Sequence, residues 1–106
     1  MTASVYSVCF GQWTGLETSE TITVPTGRVY IVRDIDAVAD LGSAGVIEAK
    51  RNDSTLFWQV AYDGTRPADS YVFRGRQVFA AGETIVVTAA PGPWDVSVCG
   101  YDLTAS

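Results

Sequence analysis

Between residues 71 and 103 the sequence YVFRGRQVFAAGETIVVTAAPGPWDVSVCGYDL alternates apolar and polar side chains. The alternation breaks only at Ala81-Gly82 and at Pro91-Gly92-Pro93. A period of two sends successive side chains to opposite faces of a pleated strand, so the segment reads as three strands joined by two turns. The same pattern runs back to about Tyr6. Segments 5–10, 21–24, 28–39, 46–50 and 56–62 are apolar and rich in β-branched or aromatic residues, the composition of half-buried strands. Turn signals recur at intervals of roughly 8 to 12 residues, and no segment keeps a 3.6-residue apolar period over three turns. The expected fold class is all-β: one antiparallel β-sandwich of about eight short strands.

Two stretches carry more detail. In 28–39, Val29, Ile31, Arg33, Ile35 and Ala37 point one way and Tyr30, Val32, Asp34, Asp36 and Val38 the other. The charges change face halfway, and a switch of that kind marks a bulge or a strand that passes from core to interface. The stretch Gly11-Gln12-Trp13-Thr14-Gly15 reads as a loop because of its glycines, which leaves Trp13 without a strand to bury it. Turns are expected at Pro25-Thr26-Gly27 and at Arg51-Asn52-Asp53-Ser54.

At 106 residues the chain is long enough to bury roughly 60 to 70% of its unfolded surface, and it reads as one domain. Its apolar fraction of 47% argues against disorder. The charged fraction of 18% lies below the usual level of about 25%, and a surface short of charge often has partners. Seven basic against twelve acidic residues give a net charge of −5, with no basic run longer than Lys50-Arg51, so nucleic acid is not an expected partner. The start of the chain has neither a basic n-region nor a long apolar stretch, so synthesis and folding in the cytoplasm are expected.

The sequence contains no histidine, which removes the usual general base and the commonest metal ligand. No enzymatic activity, cofactor or metal is expected. Asp34, Asp36 and Asp40 have the alternate spacing of a calcium cluster, but a solvated strand face with Arg33 as neighbour explains them better. Cys9 and Cys99 fall in the first and last strands. They would meet if those strands pair, and a bridge needs close Cα atoms and converging Cβ vectors. The other state open to them is free buried thiols acting as small hydrophobes, which is the expectation because nothing marks secretion. Among the aromatics, Trp58 in mid-strand reads as core, while Trp13, Phe10 and Trp94 are candidate interface residues. Arg74 and Arg76, separated by Gly75, stand on the same strand face. They either face solvent or bridge to carboxylates of a neighbouring subunit.

Several pieces of the chain occur in a familiar order: Val24-Pro25-Thr26-Gly27-Arg28, then Ile31-Val32-Arg33-Asp34-Ile35, the hairpin from Phe73 through Gly82-Glu83 to Val87, and a closing strand through Cys99-Gly100-Tyr101-Asp102-Leu103. Together they resemble small β-sandwich virion proteins of tailed bacteriophages, particularly those infecting actinobacteria. Cys99 stands where that pattern has Ser. The resemblance covers residues 21–103.

The resemblance implies a non-catalytic structural part. The first expectation is a capsid decoration or minor capsid protein with a jelly-roll-like sandwich, which binds the outside of the assembled head and stabilises it. Its partners would be the major capsid protein and copies of itself as a trimer. A tail component, or a carbohydrate- or receptor-binding module in which Trp13, Trp94 or Tyr62 stacks on host glycan, is the alternative. Residues 1–20 lie outside the resemblance and are expected to be an extra strand or a docking arm, with 21–106 as the sandwich core.

Overall fold

The structure is a computed structural model that describes residues 7–39, 44–63, 69–89 and 93–105. Among them there are eight strands and no helix: β1 (Ser7–Leu16), β2 (Ser19–Thr23), β3 (Arg28–Ala39), β4 (Gly45–Arg51), β5 (Thr55–Tyr62), β6 (Asp69–Phe79), β7 (Thr84–Ala89) and β8 (Trp94–Thr104). They form two antiparallel sheets of four, sheet A in the order β1-β8-β3-β6 and sheet B in the order β2-β7-β4-β5. The first strand therefore pairs with the eighth, the second with the seventh, the third with the sixth and the fourth with the fifth. That nesting is the jelly roll: one long hairpin rolled up so that its four rungs divide between two sheets.

The middle of the hairpin is the turn after β4. Asn52 and Asp53 both adopt positive φ, 53° and 56°, the left-handed pair that a primed hairpin turn demands and that Asn and Asp tolerate best. At the same end of the sandwich the turns after β2 and β6 are tied to it by hydrogen bonds. The Asn52 N–H donates to the Thr84 carbonyl at 2.9 Å, the Val24 N–H to the Glu83 carbonyl at 3.0 Å, and the Gly82 N–H to the Val24 carbonyl at 2.9 Å. The Glu83 carboxylate accepts from the Ala80 N–H at 2.8 Å, from Arg51 at 3.0 Å and from Asn52 at 3.3 Å. These donors, the backbone one foremost and then Arg51, hold the Glu83 carboxyl below its ordinary range. Arg51 also lies over the Phe79 ring, 4.0 Å from its centroid.

Between the sheets lies an apolar core. Val32, Ile35, Ala37 and Ala39 of β3 meet Ile47 and Ala49 of β4, Ile85, Val87 and Ala89 of β7, and Trp94, Val96 and Val98 of β8. The alternation decides this directly, because odd residues of β7 and even residues of β8 turn inward while their neighbours turn out. Each fully buried aliphatic side chain contributes about 1.5–3 kcal/mol of transfer free energy. No polar or charged residue is fully buried among the described residues. The hydroxyl of Tyr62, a residue 2% exposed, lacks a hydrogen-bond partner.

Three expectations are corrected here. Gly11-Gln12-Trp13-Thr14-Gly15 is not a loop: β1 runs through it, paired with β8 from Ser7 to Leu16. Trp94 is core and not interface. It is fully buried opposite Leu16, with the Tyr71 ring 6.0 Å away, because it is the first inward position of β8. Cys9 and Cys99 are not free buried thiols. They are direct register partners across β1 and β8 and form a disulfide, with Cys9 exposed. Residues 7–20 form β1, the turn after it and the start of β2, so this segment belongs to both sheets.

Candidate interaction surface

The outward face of sheet A is set by a fault line across its strands. β3 is out of step with both neighbours between Val32 and Asp34, and β1 with β8 between Cys9 and Gly11. An extra residue reverses the alternation beyond it. Val32 is therefore inward before Arg33, and Ile35 and Ala37 are inward after it. The facial switch read from the charges of 28–39 is this bulge. It also brings Asp34, Asp36 and Val38 to one outward row along β3, where the unbroken alternation would have put them on the face of Val32.

On β6 the arginines separate into two roles. Arg74 ion-pairs with Asp34, its register partner on β3, while the pair remains largely exposed. Gly75, though exposed, lies on the side of the Phe73 ring: a Cβ there would lie 2.9 Å from it. Arg76 is thereby outward with Arg74, exposed, and it has no hydrogen bond or ion pair among the described residues. Arg33, at the bulge, lies over the Tyr101 ring at 5.5 Å from the centroid and has no carboxylate partner among the described residues.

Beyond the fault line the face turns acidic. An open groove of about 340 Å³ is lined by Gln12, Trp13 and Thr14 of β1, Asp36 and Val38 of β3, and Asp95 and Ser97 of β8. Gln12, Asp36 and Ser97 lie in one transverse row, and Val38 is paired with Asp95 in the next. Asp95 accepts the Gly15 N–H at 2.9 Å, which fixes the end of β1 where Gly15 takes φ 70°. Asp36 is exposed, with no partner among the described residues. Three of the four exposed large apolar side chains among the described residues, Val38, Val72 and Val78, stand on this same face. The fourth, Leu56, is on sheet B.

The remaining candidates lie elsewhere. Trp13 is half-buried against the core, its ring folded back over Gly11, where a Cβ would sit 2.5 Å from it. Phe10, the extra residue of β1, stacks on Tyr30 with ring centroids 4.2 Å apart. Of the three aromatics considered for sugar stacking, Trp94 and Tyr62 are buried. Asp34 is taken by Arg74 and Asp40 lies outside the described residues. Among those described, no three ligating side chains converge. Sequence reasoning missed Gln12, Thr14, Asp95 and Ser97 as members of one surface. Their outward parity is written in the alternation, but their being neighbours depends on the β1–β8–β3 pairing.

The arrangement can form ion pairs and hydrogen bonds to a partner and can bury valine side chains against it. No protein-family model and no curated protein sequence matches the chain. A solved structure similar to it is the crystal structure of a Podospora anserina GH26-CBM35 beta-(1,4)-mannanase, with TM-score 0.50 and 11% identity over 97% of this chain and 27% of that one. At that identity the likeness concerns the fold alone. The chain spans about a quarter of that protein's length.

Proposed function

We propose that this chain is a non-catalytic structural protein of a tailed-bacteriophage virion, a capsid decoration or minor capsid protein that binds the assembled head from outside. The observation that carries this reading is the outward face of sheet A, where exposed valines alternate with charged side chains that have no ion-pair partner among the described residues. Such a face gains from being covered, since burial of apolar area and pairing of charges both favour association. The jelly roll and the resemblance over residues 21–103 point the same way. The stabilisation is mechanical: contacts that exist only in the finished shell raise the cost of taking it apart.

Purified protein added to expanded heads that lack it should co-sediment with them and raise their disruption temperature. Mass spectrometry of virions stripped into heads and tails should find the chain in the head fraction, in copy number comparable with the major capsid protein. A few copies confined to tails would replace this reading with a tail component, and no binding to heads would remove it.

A second reading, a carbohydrate-binding module, draws on the groove beside Trp13. Gln12, Thr14, Asp36, Asp95 and Ser97 offer the closely spaced donors and acceptors that sugar hydroxyls use, and the fold is shared with part of a mannanase chain. Host-wall polysaccharide should then quench or shift Trp fluorescence. An unchanged spectrum together with a silent glycan array would exclude it.

A further inference from the structure

We infer that the outward face of sheet A is self-complementary and takes a second copy of this chain across a two-fold axis. The inference rests on reading that face as a contact surface and names its occupant as a second copy, so that the head is met by the remaining surface of the dimer. Two opposite patches lie on it: Arg33 and Arg76, neither with a carboxylate partner among the described residues, and Asp36 with Asp95 in the groove. Arg33 and Asp36 are three positions apart along β3, about 10 Å at 3.3 Å per residue. A two-fold axis lying in the interface between the patches sets the cationic patch of each copy on the acidic patch of the other. That is the reciprocity an isologous dimer requires.

Arg74 is excluded from this role because Asp34 already occupies it. The two arginines that look equivalent in the sequence are therefore divided, one holding β6 to β3 and one left for a partner. Val38, Val72 and Val78, between 36% and 46% exposed, supply apolar area around the charges. Four strands about 4.8 Å apart and some ten residues long present roughly 600 Å². Two such faces bury about 1,200 Å², the lower bound of specific, stable interfaces. The face is thus large enough for a dimer that dissociates at low concentration.

Sedimentation velocity on the full chain over a concentration series tests this. The wild type should pass from monomer to dimer, and raised salt should weaken the association because exposed charge pairs are screened. Arg76→Glu and Asp36→Arg should each weaken it about tenfold or more, and the double variant should recover much of that loss. Val72→Lys, on the edge strand, should also give monomer. Circular dichroism and thermal melts will verify that each variant folds, since exposed substitutions of this kind change stability by only about 0.5 kcal/mol. A wild type that stays monomeric at about 0.5 mM, where a dimer of micromolar Kd is almost fully formed, overturns the inference. So does a trimer, or a dimer indifferent to both charge reversals. A monomeric chain that binds empty heads loses the two-fold pairing and keeps the virion role. A dimer that ignores heads does the reverse.

Discussion

Sheets A and B share one core and draw on the same apolar residues for it, yet their outward faces are unlike. Sheet B turns Thr21, Thr23, Thr84 and Thr88 to the outside, with Lys50 3.5 Å from Glu48 and Gln59 donating to Glu48 at 3.2 Å. The charges of that outward row on β4 are answered within the sheet. Sheet A leaves Arg33, Arg76 and Asp36 without an ion-pair partner among the described residues and exposes three valines. It also carries the fault line and the disulfide. A face finished against water and a face left open can therefore be built from the same alternation. What differs is how many of the charged outward residues find a partner within their own sheet.

The sharpest way to break this contrast is through the staple of sheet A. Replacing Cys9 and Cys99 by Ser, or reducing them, releases a closure spanning 90 residues and should cost about 2–5 kcal/mol. Denaturant titration with and without reductant would show it, and coincident curves would mean that the bond contributes nothing. Next comes Gly100, paired with Val32 beside the fault line. A Cβ there would lie 1.8 Å from the Ile31 carbonyl oxygen, so Gly100→Ala must push one backbone off another and should cost about 3 kcal/mol. The exposed counterpart on sheet B, Thr21→Val, should stay within about 0.5 kcal/mol. Equal losses at the two positions would erase the distinction between the sheets.

Smaller effects test the hydrogen-bonded end that joins the sheets. Because the Glu83 carboxyl is lowered in the folded chain, its stabilisation is present in full above the ordinary Glu value of about 4.3. It is lost as the pH falls through the lowered folded-state value. Urea midpoints should therefore drop in acid for the wild type. Glu83→Gln, weaker at neutral pH, should show a flatter profile, and parallel profiles would remove Glu83 from the account. Smallest of all, Tyr62→Phe on β5 removes a buried hydroxyl without a partner and should leave stability unchanged or raise it by up to about 1 kcal/mol. A clear loss in the melting temperature would mean that the hydroxyl is satisfied.

The architecture was legible in the chain wherever it depended on neighbours in sequence. The alternation of 71–103 became β6, β7 and β8, and the charge switch in 28–39 became the bulge at Arg33. Glycine misled at residues 11–15: Gly11 makes room for the Trp13 ring, and only Gly15 turns the backbone left-handed. Trp94 was misjudged for a related reason, since Gly-Pro before a strand marks where it starts and not which face its first residue takes. The surface was less legible. Arg74 and Arg76 read as equals because Asp34, which distinguishes them, is 40 residues away from Arg74. The thiols could be seen to meet only once β1 was known to lie beside β8.

The nested pairing also orders events in time. β4 and β5 are joined by one short turn and can close within microseconds, whereas β1 and β8 are held apart by most of the chain until the rungs between them have formed. Loop-closure entropy penalises the outermost rung most if it is attempted first and least if it is attempted last. Folding should zip from Asn52-Asp53 outward, at the slow pace of chains dominated by distant pairings. On this route Cys9 and Cys99 come together at the final step, so their oxidation is a record that the roll has been completed.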